Sequence, residues 1–435
     1  MSDGAKLAVD IGGTFTDLVL EKGGERHQAK LLTTPAAPEE AVLEGTNRIL
    51  AESNTPLDAV ELVIHGTTLA TNALIERKGA KTGLIATEGF RDSVEIAYEH
   101  RFEQYDLYMD RPTPLVPRHR RLGVSERMAA DGSILLPLDE EAVVGQARAL
   151  RDEGIEALAI CFLHSYMNAA HEERARELVA GELPDVAVTI SSEVCPEIRE
   201  YERMSTACAN AYVQPMMARY LGRLESGLAG IGLACPLLLM MSSGGITTVE
   251  TASRQPIRLV ESGPAGGAIL ARNIAAQNGL EKVLSFDMGG TTAKITLIDD
   301  CEPLLSRAFE VARAYRFLKG SGLPLRIPVI EMVEIGAGGG SVASLDALRQ
   351  IAVGPESAGS DPGPACYGRG NATATVTDAD VVMGRIDPAG FAGGKIALFP
   401  ERAVAAIKAE IADPLEISKD VAAAGVDEIV NENMA

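Results

Sequence analysis

Two nine-residue stretches carry the residue types best suited to chemistry, "VDIGGTFTD" near the start and "FDMGGTTAK" 277 positions later. In register, Asp10, Gly12, Gly13 and Thr14 match Asp287, Gly289, Gly290 and Thr291. A Gly-Gly turn between strands leaves backbone N–H groups facing outward with no Cβ in the way, and such a concave set of donors suits phosphate oxygens. The hydroxyls of Thr14, Thr16, Thr291 and Thr292 add further donors. An aspartate just before the turn stands at the rim, where it can hold Mg²⁺ directly or through water, as that ion prefers. One such stretch alone is a weak signal, since a plain hairpin also produces it. Two, each after an apolar strand start, point to a polyphosphate gripped from both sides.

The elements that must position these residues follow from local pattern. "KLAVDIGGTFTDLVLEKGG" reads as a hairpin closed by Gly23 and Gly24. "ELVIHGTTLATNALIERKGA" reads as a strand running into a helix, with Thr67 or Thr68 as cap and Gly79 as stop. From Asp139 helices and strands alternate: "DEEAVVGQARALRDEG", "IEALAICFL", "NAAHEERARELVAGEL" capped by Asn168, and "DVAVTISS". Such alternation predicts an α/β sheet with helices on its faces. A helical stretch over 197–221 carries the chain onward, after which "CPLLLMMSSGG", the small-residue helix "SGPAGGAILARNIAAQNG" and the hairpin "KVLSFDMGGTTAKITLIDD" restart the pattern. "RFEQYDLYMDRPTPLVPRHRRLGV", with three prolines, reads as an inserted loop. The glycine-rich "EIGAGGGSVAS" and "GPESAGSDPGPACYGRG" are approached closely by a ligand or make tight turns.

Other residues carry two readings each. His65, with Thr67 and Thr68 beside it, is a candidate substrate contact or general acid–base group, and equally a histidine bonded to nearby backbone. Cys366 reads as a buried structural thiol before a metal ligand. Asp378 and Asp380 read as metal ligands or as turn and cap residues. Arg118 to Arg121 form a partner-facing or merely solvated basic cluster, and Met240 and Met241 read as core.

The 435 residues suit two to three domains, each with its own core at 46% hydrophobic content. A net charge of −21 disfavours nucleic acid and anionic membrane surfaces as partners. Six scattered cysteines with no CxxC pair read as reduced thiols in a cytoplasmic protein. "MSDGAKLAVDIGG" lacks the pattern of a secretory signal, and no run is suited to span a lipid bilayer.

The paired hairpins resemble the actin, sugar kinase and heat-shock chaperone ATPase superfamily, in which they are the phosphate-1 and phosphate-2 motifs and "SGPAGGAILARNIA" stands where a connecting helix belongs. The wording "DIGGTFTDLVL", "HGTTLATNALIERKGAKTGLIATEGFRD", "ESGPAGG", "FDMGGTTAK", "EIGAGGGSVA" and "GSDPGPACYG" is similar to the hydantoinase A and 5-oxoprolinase family, from Val9 to the last residue. That resemblance implies an α/β fold of two ribonuclease H-like halves around a nucleotide cleft, with inserted loops, divided here as 1–196 and 197–435.

It also implies ATP and Mg²⁺ as cofactors, with Asp10 and Asp287 as catalytic and metal-holding residues. Gly12, Gly13, Thr14, Thr16, Gly289, Gly290, Thr291 and Thr292 would lie on the phosphates, and His65, Thr67, Thr68 and Lys294 toward the substrate. The implied reaction is ATP-dependent opening of a cyclic amide such as a hydantoin, 5-oxoproline or lactam, in a hetero-oligomer with a hydantoinase B-type subunit. A ketone carboxylase subunit and a nucleotide-gated binding module are the alternatives. Many relatives have an acid where this chain has Lys294, the counterpart of Asp17: the lysine neutralises a phosphate or anionic substrate, or lies on the strand's outer face. The family pattern continues to an adenosine-binding motif beyond "IVNENMA", so the expectation is a fragment or a chain completed by another polypeptide.

Overall fold

Alternation decides the first strand: in "AKLAVDI", Ala5, Leu7, Val9 and Ile11 are buried while Lys6, Ala8 and Asp10 are exposed. The computed structural model describes residues 4–12, 15–34, 37–109, 111–313, 319–359, 361–394 and 397–435. In chain order these form β1 (Ala5–Ile11), β2 (Phe15–Lys22), β3 (Glu25–Leu32), α1 (Pro38–Glu52), β4 (Val60–Thr67), α2 (Leu69–Ile75), β5 (Thr82–Thr87) and β6 (Arg121–Val124). There follow α3 (Glu140–Asp152), β7 (Ala157–Cys161), α4 (Ala170–Glu182), β8 (Ala187–Ile190), α5 (Glu200–Gly230), β9 (Leu237–Met240), β10 (Ile246–Thr248) and α6 (Ser262–Gln277).

Two compact units result, residues 1–269 with 305–330, and residues 270–304 with 331–435. In the first, six strands run in the order β10-β9-β4-β1-β2-β3. Strands β1, β2 and β3 pair antiparallel, whereas β4 lies parallel to both β1 and β9. The expected hairpin is present; β3, too polar to stand out in sequence, extends it. A second sheet, β8-β7-β5-β6, is parallel throughout. Its strand β7 is buried at every position because α3 and α4 pack on one face and α5 on the other. Helix α5 is buried without a break from Glu202 to Val213, as a helix held on more than one side must be. The segment 305–330 returns to this unit, where Val311, Leu323 and Leu325 join the core beside α5.

The second unit contains β11 (Val283–Met288), β12 (Ala293–Asp299), β13 (Val333–Ile335), β14 (Ser341–Leu345), β15 (Ile351–Ser357), α7 (Val376–Val382), α8 (Pro400–Ile407) and α9 (Lys419–Met434). Strand β12 pairs antiparallel with β11 on one side and β13 on the other, as β2 does with β1 and β3. A separate core gathers Val376 and Ala379 of α7, Ala406 and Ile407 of α8, and Ala422, Val426 and Val430 of α9.

Several local expectations change. Helix α2 ends at Ile75, four residues before Gly79, so Gly79 is not its stop. A Cβ at Gly79 would lie 2.2 Å from the Tyr212 ring, so close packing against α5 accounts for that glycine. Met240 and Met241 are half-buried, and Met241 packs against the edge of the first unit's core. Arg121 is nearly inaccessible, its guanidinium donating to Glu95 at 2.7 Å and to the Val116 carbonyl at 2.7 Å, while Arg118 grips Asp92 from the surface. Among the described residues no helix is long and apolar enough to cross a membrane.

Candidate active site

One backbone hydrogen bond recurs at the head of both hairpins. The Gly12 N–H donates to the Phe15 carbonyl at 2.9 Å, and the Gly289 N–H donates to the Thr292 carbonyl at 2.9 Å. The calls on Gly13 and Thr14 lie outside the described residues. Their surroundings differ between the units.

In the first unit Asp10 is exposed at the end of β1, and two glycines make room for its carboxylate. A Cβ at Gly66, on β4, would lie 2.9 Å from Asp10 Oδ1; one at Gly263, in the first turn of α6, would lie 3.2 Å from Oδ1 and 3.4 Å from Oδ2. A side chain at either place would press on the carboxylate. Glu261, with a φ of 62°, turns the chain into α6, and its N–H donates to Thr71 Oγ1 at 3.2 Å. Ser262 then fastens the helix start to β4, its Oγ accepting from the Thr67 N–H at 3.1 Å and donating to the Thr67 carbonyl at 3.0 Å. Thus β1, β4 and the start of α6 converge on Asp10. A carboxylate beside a helix N-terminus is favoured electrostatically.

Three predicted contacts are structural in this unit. Thr16 is buried and bonded to Thr33 Oγ1 at 3.0 Å, and Thr33 in turn donates to the Gly12 carbonyl, so Thr16 is tied through Thr33 to the end of β1. Thr67 is buried, its hydroxyl accepting from the Leu69 N–H at the start of α2. His65 is 1% exposed. Its Nδ1 faces the Val9 carbonyl at 3.3 Å and its Nε2 the Tyr220 hydroxyl at 2.7 Å. A carbonyl only accepts, so Nδ1 carries the proton and Nε2 accepts from Tyr220. Burial depresses the imidazole to about 4, against a smaller opposing effect of the Val9 bond. The backbone-bonded reading of His65 is the one the structure displays. Thr68 is half-buried and donates to the Ile11 carbonyl at 3.2 Å.

In the second unit Asp287, Gly289, Gly290 and Thr291 are exposed and Thr292 is half-buried. The loop "GAGGGS" packs backbone to backbone on this turn: the Gly339 N–H donates to the Gly289 carbonyl at 3.1 Å and the Gly340 N–H to the Gly290 carbonyl at 2.7 Å. The glycines at 338 to 340 therefore admit a neighbouring turn. Lys294, on β12, stands directly across from Asp287 of β11 and from Glu334 of β13, its Nζ 3.9 Å from Glu334 Oε1. Its side chain is 16% exposed, which removes the outer-face reading. Burial lowers the ammonium from the ordinary lysine value, with Glu334 acting in the opposite sense.

The other acids and the thiol are accounted for within the fold. Asp378 is buried and accepts from the N–H groups of Ala365, Cys366 and Thr375 and from the Thr375 hydroxyl, closing a capping box on α7. Cys366 lies buried beside it, its thiol pushed up chiefly by desolvation. Asp380 lies near Arg385. Among the described residues no three His, Cys, Asp or Glu side chains gather as a metal cage. An exposed single carboxylate suits Mg²⁺, which keeps most of its waters and takes one or two carboxylates. Gly66, Gly263, Ser262 and Glu334 were not singled out from sequence, although "HGTT" and "ESGPAGG" held three of them.

The mixed α/β architecture resembles two solved structures. Nucleotide-free acetone carboxylase matches with a TM-score of 0.84 at 30% identity, over 99% of this chain and 61% of that one. The ATP-dependent caprolactamase of Pseudomonas jessenii matches with a TM-score of 0.81 at 37% identity, over 99% of this chain and 62% of that one. In sequence, the caprolactamase subunit alpha of that organism is 37% identical over 438 residues, and the acetophenone carboxylase gamma subunit of Aromatoleum aromaticum is 35% identical over 448. Each alignment covers 99% of this chain, which spans 61% and 60% of those relatives' lengths. The family described as "Hydantoinase/oxoprolinase" matches residues 203–435, and "Hydantoinase/oxoprolinase N-terminal region" matches residues 6–183. This chain belongs to the hydantoinase/oxoprolinase family.

Proposed function

We propose that the chain binds ATP and transfers its terminal phosphoryl group to the carbonyl oxygen of a cyclic amide, in a hetero-oligomer with a hydantoinase B-type subunit and in the cytoplasm. The observation that carries this reading is the doubled turn with an exposed aspartate at each rim, Asp10 and Asp287. Amide resonance makes the ring carbonyl a weak electrophile. Phosphoryl transfer to its oxygen releases ADP and leaves an O-phosphorylated imidate; one water adds to the carbon, the C–N bond breaks as the nitrogen takes a proton, and a second water cleaves the resulting acyl phosphate to carboxylate and phosphate.

The protein's part in such chemistry is positioning and charge stabilisation. Backbone N–H groups and threonines of each turn, Gly12 to Thr14 and Gly289 to Thr292, would cradle phosphate oxygens. Asp10 and Asp287 would hold Mg²⁺ or its waters, the ion supplying charge neutralisation when bound. The two regions 1–196 and 197–435 would be ribonuclease H-like halves, each contributing a hairpin. Support for this comes from the β1-β2-β3 order, its counterpart β11-β12-β13, and a boundary between the two matched family regions.

A ketone carboxylase subunit is the second reading, favoured by the match to acetone carboxylase. The test is ATP turnover in the assembled enzyme, stimulated by a hydantoin, 5-oxoproline or lactam in the first case and by a ketone with bicarbonate in the second. Asp10→Ala and Asp287→Ala should each reduce turnover by a hundredfold or more with the fold retained. Wild-type rates in both variants would remove the hairpins from the mechanism.

A further inference from the structure

In the parallel sheet of the first unit, a buried imidazole has one nitrogen held and the other unbonded. With the strands in the order β8-β7-β5-β6, the chain leaves β5 toward β6 and later leaves β7 toward β8, in the opposite direction. The crevice outside the carboxyl ends of two such strands is where open α/β sheets take ligands. Four residues meet there. Thr87 ends β5, and its Oγ1 accepts from the Leu163 N–H beyond β7 at 2.9 Å and donates to Glu126 Oε1. Glu126 lies two residues past β6, and its Oε2 is 2.8 Å from Nδ1 of His171, in the first turn of α4. Both are buried, Glu126 being 2% exposed and His171 7%. Such a buried acid–histidine pair adds little to stability over apolar residues of the same size, so packing alone does not account for it.

A carboxylate only accepts, so His171 Nδ1 carries a proton and Glu126 fixes the ring. Among the described residues nothing bonds Nε2, and it is not sealed from solvent. His65 differs, since both of its nitrogens are taken up within the fold. The adjoining helix start is open as well. Helix α4 has no side-chain cap bond, Asn168 serves only the Ala170 N–H, and the N–H groups of His171 and Glu172 have no partner among the described residues. Glu172 is turned inward, where it accepts from the Phe162 and Ser192 N–H groups and the Ser191 hydroxyl, and Glu173 is exposed. With a proton on Nε2 as well, the imidazole and these backbone N–H groups form one set of donors, and such a set takes an oxyanion. We propose that this edge of the sheet is a second ligand site, sharing no residue with the glycine turns, in which His171 and the start of α4 bind a small phosphate or carboxylate and Glu126 is the positioning residue.

The test is nuclear magnetic resonance of the ¹⁵N-labelled 435-residue chain, titrated with inorganic phosphate, with acetate and with chloride at one ionic strength. The His171 ring signal and the Glu172 amide signal should move and saturate with phosphate, with acetate or with both, and stay still with chloride. Which anion moves them tells a phosphate site from a carboxylate site. His171→Asn keeps an N–H for Glu126 and lacks Nε2, so it should fold and bind the anion about tenfold more weakly, read at the Glu172 amide. Its ATP affinity should equal that of wild type. A measurement on wild type alone stands beside the variant: the bound anion should slow acylation of His171 by diethyl pyrocarbonate, followed by peptide mass spectrometry, and leave surface His119 reacting as before. The proposal is overturned if neither anion saturates by about 50 mM, if chloride acts alike, if folded His171→Asn keeps the wild-type affinity, or if the anion does not protect His171.

Discussion

Asp10 owes its setting to two absent side chains, and that makes it testable one methyl group at a time. A Cβ at Gly66 would meet Oδ1 at 2.9 Å and one at Gly263 would meet it at 3.2 Å, so the first substitution is the more severe. The obstructing atom ends an exposed side chain that can swing aside, so Gly66→Ala should fold with a melting temperature within a few degrees of wild type. The displaced carboxylate should cost about ten- to a hundredfold in Mg²⁺-dependent ATP turnover of the assembled enzyme, with a smaller loss for Gly263→Ala. Equal, full activity in both would show that the position of Asp10 is immaterial. His65 titrates in a known direction. Its pKa falls from 6.5 to about 4 on folding, so the unfolded chain binds the extra proton between those values. Stability from keeping His65 neutral is complete above about pH 6.5 and is lost as pH falls toward 4, a span worth roughly 3 kcal/mol. In urea denaturation, the stability advantage of wild type over His65→Gln should therefore shrink between pH 7 and pH 4.5; a constant difference would place the imidazole in contact with solvent. The placing of Asp10 and Asp287 two residues before a Gly-Gly turn was legible in sequence because it lies in a local motif. The role of His65 was not, because Tyr220, which claims its Nε2, is 155 positions away.

At the scale of elements, local signals performed well where the neighbours are local too. Asp139 caps α3 by accepting from the Ala142 N–H, whereas the cap position of α4 is Ala169 and not Asn168, which instead accepts from the Ala170 N–H; both helices end close to where their composition changes. Strand β3 escaped because its partner strand, and not its own residues "ERHQAKLL", makes it a strand. The glycine loops were ambiguous for a related reason: a glycine that admits a ligand and one that admits another backbone look the same in sequence. Gly338 separates the two cases. Its Cβ would stand 2.7 Å from the Gly289 carbonyl oxygen and 2.8 Å from the carbonyl carbons of Gly290 and Thr291, all backbone atoms with little freedom to yield. Gly338→Ala should destabilise the second unit by about 2–4 kcal/mol and weaken ATP binding, with the first unit unaffected. Hydrogen exchange resolved by segment checks this: faster exchange should be confined to 283–299 and 333–345, and uniform exchange throughout would assign Gly338 no part in holding the turn.

For the molecule as a whole, the internal repeat supplies its own control. Leu7, Val9, Ile11 and Leu20 are at most 3% exposed, packed with Val42 and Ile49 of α1 and with Leu221 and Leu224 of α5. Their counterparts by register, Leu284, Phe286, Met288 and Leu297, are 56%, 49%, 39% and 52% exposed. Sequence showed that the hairpin is repeated, but not that the apolar row of one copy is exposed, since the two copies are equally apolar and the helices over the first come from distant segments. The 435-residue chain should accordingly bind a hydrophobic dye and associate as its concentration rises. Replacing Leu284, Phe286 and Leu297 together by threonine should abolish most of both signals in fluorescence titration and sedimentation velocity. The melting of the first unit should stay unchanged, because those residues lie in the second unit. Undiminished dye binding by the folded triple variant would mean that the apolar face responsible lies elsewhere and that the exposure of the second hairpin does not drive association.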